Sequence, residues 1–205
     1  MSRGQLVTLD GPGGAGKSTL LQLVTGRLEA AGVTVHATTE PSHGPAGQLA
    51  RGSTAIFHGH ALACLVAADR YYHVETEIEP ALGAGKVVIC DRYVPSSYAL
   101  QVLDGVDQHF VAAINAHAPQ PDLAVILTCD PVILQQRLAT RGSHGRFEDN
   151  PDISYAESAR FRVIAKMLPT EGIRTLVLDS TRHHADFLAR QLTTVIQTLR
   201  SLPHQ

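Results

Sequence analysis

No apolar run in this sequence of 205 residues approaches the ~18 residues that a bilayer crossing needs, and a strand-like pattern begins within a few residues of Met1. That leaves no room for a secretory leader, so a soluble, cytoplasmic protein with no membrane partner is expected. Cysteine is scarce: Cys64, Cys90 and Cys129 are odd in number, widely spaced and set among apolar residues. This excludes a disulfide framework and predicts buried free thiols, as suits a reducing compartment. An excess of one charge is lacking too. With 17 Lys and Arg against 19 Asp and Glu, the net charge of -2 gives no basic field for nucleic acid. Any affinity for phosphate must come from a few placed side chains and backbone amides. Repeats, low-complexity tracts and linkers are also missing, and 44% hydrophobic with 18% charged content fits one domain over residues 1–205. The 11 histidines, His183 and His184 included, show no metal-ligand spacing and are expected at the surface.

What is present is an alternation of short apolar runs with longer helical stretches, which reads as an α/β fold with a parallel sheet and crossover helices. Five runs rich in Val, Ile, Leu or Thr predict buried strands: Gln5 to Asp10, Thr34 to Glu40, Lys86 to Asp91, Leu123 to Cys129 and Arg174 to Asp179. Helices are predicted over Lys17 to Ala31, stopped by Gly32, over Ala61 to Leu82, stopped by Gly83 and Gly85, and from Asp130-Pro131 to about Arg141. Gly142 to Asp152 has no periodicity, and a loop of that length inside a compact fold is usually functional or mobile.

The strongest signal is Gly11-Pro12-Gly13-Gly14-Ala15-Gly16-Lys17-Ser18, followed by Thr19. It fits G-x-x-x-x-G-K-[ST] between a predicted strand and a predicted helix, the context a P-loop requires. Its glycines let backbone amides curl around a β-phosphate, and the helix N-terminus adds a fixed positive end. Lys17 supplies a mobile cation, while Ser18 offers a hydroxyl to Mg²⁺ bridging the β- and γ-phosphates of ATP. A P-loop alone does not separate kinases from other NTPases, so the ends of the other strands matter.

One of them runs into Asp91-Arg92-Tyr93-Val94-Pro95-Ser96-Ser97, a carboxylate and a guanidinium at the exit from a buried strand. Such a pair either caps the strand as an ion pair or meets a ligand or metal at the carboxyl end of the sheet. Arg137, Arg141 and Arg146 flank the irregular segment, with Arg160 and Arg162 on the helix expected next. Taken alone, they could form a solvated face. Placed after the fourth strand of a P-loop sheet, they could instead close over a transferring phosphoryl group.

In order and spacing, the chain is similar to thymidylate kinases over nearly its whole length. The P-loop, Leu65-Val66-Ala67-Ala68-Asp69-Arg70, Pro80-Ala81-Leu82 to Gly85-Lys86, Asp91-Arg92-Tyr93, Ser96, Pro121-Asp122-Leu123 and Arg146-Phe147-Glu148 carry the resemblance. It implies a P-loop NTPase three-layer sandwich with a five-stranded parallel sheet, a short arginine-bearing lid at about 141–153, Mg²⁺ and ATP, a nucleoside monophosphate acceptor and a homodimer. By the same resemblance, Asp91 stands near the metal and acceptor phosphate, Arg92 clamps that phosphate and Arg70 reads the base. Arg137 lies against adenine, and Arg146 acts from the lid, in keeping with Gly14 in the loop. Glu40, Pro41, Ser96, Ser97 and Gln101 fall in the acceptor segments.

Four departures fall on the acceptor side. Gly13 replaces an acidic residue facing the sugar, Val66 a base-stacking aromatic, and Leu100 in Ala99-Leu100-Gln101 a tyrosine under the deoxyribose. Thr38-Thr39-Glu40-Pro41-Ser42-His43 lacks an arginine and a glycine pair. Three readings follow: a kinase acting on dTMP with a rebuilt pocket, a kinase for a ribo- or modified pyrimidine nucleotide, or an ATP-binding regulatory module without turnover. Lys17, Ser18, Asp91, Arg92 and Arg146 together argue against the third, since binding alone has no evident need of the whole transfer apparatus.

Overall fold

A computed structural model describes residues 3–141 and 151–201. Arg146 and most of the expected lid lie outside the described residues.

Five strands, β1 (Gln5–Asp10), β2 (Val35–Thr39), β3 (Val87–Asp91), β4 (Leu123–Thr128) and β5 (Thr175–Asp179), pair in parallel in the order β2-β3-β1-β4-β5. Each strand agrees with the sequence expectation to within a residue at either end. The helices are α1 (Lys17–Ala30), α2 (Pro45–Gly52), α3 (Gly59–His73), α4 (Glu79–Gly83), α5 (Val94–Leu103), α6 (Gln108–Ile114), α7 (Pro131–Arg141), α8 (Pro151–Thr170) and α9 (Ala185–Ser201). No described helix is long and apolar enough to cross a membrane.

The central strands β1, β3 and β4 are buried along nearly their whole length because successive side chains serve opposite layers, whereas the edge strands β2 and β5 are only partly buried. Val7, Leu9, Ile89 and Val125 meet Leu20, Val24 and Leu28 of α1 and Leu188, Leu192 and Ile196 of α9. On the other face Leu6 and Val88 meet Ile78 and Leu82, while Ala124 and Ile126 meet Phe161, Ile164 and Leu168 of α8. Burying each such large side chain stabilises the fold by roughly 1.5–3 kcal/mol. The result is the three-layer α/β sandwich expected from the sequence.

Four expectations change. The helix predicted over Ala61 to Leu82 is a rod from Gly59 to Gly83, widened into a π turn at Val74–Ile78. The aperiodic stretch Gly142 to Asp152 runs into α8, which begins at Pro151. Cys64 is exposed on α3, whereas Cys90 and Cys129 are buried, and all three are free. An apolar sequence neighbourhood does not decide which way one helical side chain faces. Similarly, His73 is buried at 1% exposure, not at the surface.

The strand order places β1 between β3 and β4, so the turn after β1 opens at the carboxyl ends of the central strands. Gly11 begins that turn with φ 150°, and a Cβ there would lie 2.6 Å from the Leu127 carbonyl oxygen of β4. Only glycine lets the loop pass this close to the sheet.

Candidate active site

Beyond Gly11 the chain curls through Gly14 (φ 78°) and Gly16 (φ 96°), and Gly16 caps α1 in the left-handed region. Lys17 and Ser18 therefore start the helix, where backbone N–H groups lack intrahelical acceptors. Lys17 is buried, and its Nζ donates to the Gly11 and Pro12 carbonyl oxygens, both at 2.9 Å. Burial, then the charge of Arg92, pushes its pKa down to about 8, against the pull of Asp91, Glu157 and Asp10.

Asp91 ends β3 facing this loop, and Ser18 Oγ donates to its Oδ2 at 2.8 Å. The next residue, Arg92, has φ 74°, and its N–H donates to the Leu9 carbonyl oxygen at 2.9 Å. A non-glycine residue held there costs about 1–3 kcal/mol and is a mark of functional turns. The turn sends the Arg92 side chain into a cavity of about 560 Å³ that Lys17, Ser18 and Asp91 also line. Among the described residues, Arg92 Nη1 and Asp91 Oδ1 are buried without a hydrogen-bond partner.

Asp10, which sequence reasoning passed over, fixes this corner. Its Oδ1 accepts from Tyr93 N–H (3.0 Å), Ser96 N–H (2.9 Å) and Ser96 Oγ (2.6 Å), so β1 caps the start of α5. Burial pushes its carboxyl pKa upward, with these hydrogen bonds opposing. Ser96 is thus committed to Asp10, although it lines the cavity.

The far side of the cavity is built around Arg70, 1% exposed on α3. Its Nε donates to Glu40 Oε2 at 2.7 Å, its Nη2 to Ser97 Oγ at 3.1 Å and its Nη1 to Asn115 Oδ1, and its guanidinium lies 5.3 Å from the Tyr93 ring centre. Glu40 also faces His73, whose Nδ1 is 3.3 Å from Oε1 and whose Nε2 is 2.8 Å from Thr38 Oγ1. Glu40 therefore spends its carboxylate holding Arg70. Cys90 Sγ joins Glu40 and His73 with ligand atoms within 4.8 Å of one another, but Glu40 is already ion-paired. Pro41, in cis linkage to Glu40, lines the cavity beside Val66, Leu100 and Gln101. Gln101 Oε1 is buried without a partner among the described residues.

A second cavity, about 690 Å³, opens on the opposite side of the P-loop and shares Gly14, Gly16 and Thr19 with the first. Arg137 of α7 lies in it, tied by Nη2 to the Ser180 carbonyl oxygen at 2.8 Å and by Nη1 to Ser180 Oγ at 3.3 Å. Its plane is thereby fixed along the cavity wall. The other arginines separate. Arg160 Nη2 donates to the Tyr98 carbonyl oxygen (2.9 Å) and Gln108 Oε1 (3.0 Å), bracing α5 and α6, and Arg162 is exposed.

The structure thus gathers Lys17, Ser18, Asp91, Arg92, Arg70, Ser97 and Gln101 around one cavity and sets Arg137 at the other. Asp10, His73, Asn115 and Glu157 were not foreseen. For Asp10 the available signal was its place as the last residue of the P-loop strand; for the others, only the folded chain shows their partners.

The thymidylate kinase family model matches residues 9–188. Thymidylate kinase of Xanthomonas oryzae pv. oryzae is 40% identical over 198 residues, covering 94% of this chain and 83% of that one. Thymidylate kinase of Xylella fastidiosa is 36% identical over 200 residues (96% and 89% covered), and the probable thymidylate kinase of Pyrococcus horikoshii is 34% identical over 197 (91% and 95%). These relatives give no support to the alternative acceptors weighed from the sequence. With a P-loop, a carboxylate and arginine at the next strand end, and a match spanning both cavities, the chain belongs to the thymidylate kinase family and is an ATP-dependent nucleoside monophosphate kinase.

Proposed function

We propose that the protein transfers the γ-phosphoryl group of ATP to dTMP, giving dTDP and ADP. The observation that carries this reading is that Lys17, Arg92 and Asp91 line one cavity together with Arg70, Ser97 and Gln101. Relatives named thymidylate kinase support dTMP as the acceptor.

Adenosine occupies the second cavity against Arg137, and the triphosphate runs over the Gly11 to Ser18 loop. Ser18 and Asp91 fit a Mg²⁺ ion, for they bring hydroxyl and carboxylate oxygens together, and Asp91 Oδ1 is buried with no partner among the described residues. When bound, the ion offsets charge on the β- and γ-phosphates. Arg92 clamps the acceptor phosphate, one of whose oxygens forms the new bond to the γ-phosphorus. The bond to the β–γ bridging oxygen breaks, and its electron pair leaves on ADP. The attacking oxygen is already anionic, so no general base is required. Lys17 follows the charge as it moves onto the bridging oxygen, and Arg146 supplies a further cation from the lid. Arg70, held by Glu40, reads the base with Ser97 and Gln101, and Ser96 positions this wall through Asp10. One kinase domain over residues 1–205, a cytoplasmic location and a homodimer complete the proposal.

ADP release measured with ATP and Mg²⁺ against each ribo- and deoxyribonucleoside monophosphate tests it. Highest kcat/KM for dTMP, lost in Lys17→Ala, is expected. No turnover with any acceptor would leave only an ATP-binding module. Sedimentation of the purified chain tests the dimer.

A further inference from the structure

His73, buried at the end of α3, does not line the first cavity, yet it holds a residue that does. Its Nδ1 lies 3.3 Å from Glu40 Oε1, while Glu40 Oε2 accepts from Arg70 Nε at 2.7 Å, so the two carboxylate oxygens are divided between an imidazole and a guanidinium. A carboxylate only accepts, and a hydrogen bond across that gap requires the proton on Nδ1. Nε2 meets Thr38 Oγ1 at 2.8 Å and Glu77 Oε2 at 3.5 Å, and Glu77 is held in turn by His36 Nε2 at 2.8 Å. The ring is thereby pinned on both sides. Packing does not ask for an imidazole here. Leu62, Ala63 and Ala67 of the same helix are buried, and an apolar side chain at position 73 would avoid the cost of burying polar ring nitrogens.

What the imidazole supplies is direction. The backbone of Glu40 is fixed by its N–H, which donates to the Asp91 carbonyl oxygen at 2.9 Å, so only the side-chain torsions remain to be set. With one oxygen held by His73, the other meets Arg70 Nε along a single line. Arg70 Nη1 and Nη2 donate to Asn115 and Ser97, so among the described residues three of its five N–H groups are engaged in fixing the guanidinium plane. We propose that His73 is a positioning residue for acceptor recognition: its Nδ1–H orients the Glu40 carboxylate, and Glu40 sets the plane in which Arg70 meets the base. A carboxylate free to rotate would keep its charge near Arg70 but lose its direction, and hydrogen bonds weaken steeply with misalignment. The donor side is untouched, since none of these residues lines the second cavity.

The inference rests on dTMP as acceptor, and the test keeps the two apart. Compare KM for dTMP, KM for ATP and kcat in the wild-type enzyme, His73→Asn and His73→Gln. The Asn amide nitrogen can stand where Nδ1 stands, and the Gln amide nitrogen where Nε2 stands. His73→Gln should raise KM for dTMP roughly tenfold, the contribution of one hydrogen bond to a charged group, with KM for ATP and kcat little changed. His73→Asn should recover most of that loss. Equal KM for dTMP in the two variants, or a fall in kcat with both KM values unchanged, overturns the proposal, as does failure of either variant to fold. Nitrogen NMR of the wild-type protein gives a second reading that needs no variant: a proton on Nδ1 of His73 is expected, and a bare Nδ1 overturns the proposal. If the wild type prefers another monophosphate, dTMP as acceptor falls, and the same comparison on that acceptor decides the role of His73. No turnover with any acceptor overturns both.

Discussion

Lys17 shows how one residue is caught between two demands. Its ammonium must meet a polyphosphate, yet in the free protein it is buried beside Arg92 and its pKa falls to about 8 from 10.5. Between those values the unfolded chain holds a proton that the folded one has released. Its contribution to stability therefore rises with pH across that window and is lost as pH falls through about 8. Binding reverses the shift, because phosphate restores the charge. Above pH 8, ATP binding should take up a proton, about half a proton or more at pH 8.5, and affinity should weaken as pH climbs further. Calorimetry in buffers of different ionisation enthalpy would measure this, and Lys17→Met should abolish it. Lys17 and Ser18 were legible because the P-loop is a local pattern. Asp10, whose carboxylate binds N–H groups 83 and 86 positions away, was not, since its role exists only once β1 lies beside β3.

The elements matter chiefly through the side chains they lend to common points. Arg70 ties α3 to the end of β2 through Glu40, to α5 through Ser97 and to the end of α6 through Asn115. Glu40→Gln would leave Arg70 buried without its counter-charge, a loss of about 3–5 kcal/mol. A fall in Tm of roughly 10 °C, read by calorimetry, is expected for a domain of this size. α5 carries a second consequence. Leu100 lines the first cavity and has no ring and no polar oxygen, so on the proposed reading nothing in that side chain would exclude a 2′-hydroxyl. The ribonucleotide counterpart of dTMP should react with kcat/KM within about tenfold of dTMP, a gap of ~1.4 kcal/mol. Leu100→Tyr should widen it, and steady-state assays on both acceptors would show this. The strands were readable from their apolar runs. α9 carried a readable signal as well, for Leu188, Leu192 and Ile196 recur at helical spacing, although no helix was assigned there. The short α2 and α6 have too few residues for periodicity to declare them, and the π turn after His73 leaves no mark in composition.

At the scale of the molecule, the two cavities meet at Gly14, Gly16 and Thr19, so on the proposed reading donor and acceptor would approach from opposite sides of one loop. A single ligand joining adenosine to thymidine through five phosphates should bind both at once. At a hundredfold excess over its Kd it stabilises by about 2.7 kcal/mol, a rise in Tm of roughly 5–10 °C. At equal concentrations ATP and dTMP should each raise Tm less in thermal melts, because neither fills both sides. The P-loop motif predicted one of these cavities by itself; the other needed the family resemblance. The three cysteines make the molecule its own chemical clock. Cys64 stands exposed on α3 while Cys90 and Cys129 are shut in the core. A thiol-specific reagent should therefore count one fast-reacting group in the native protein and reveal the other two only as the sheet opens. Their rate of labelling then times the opening of the β3 and β4 ends, without any engineered probe.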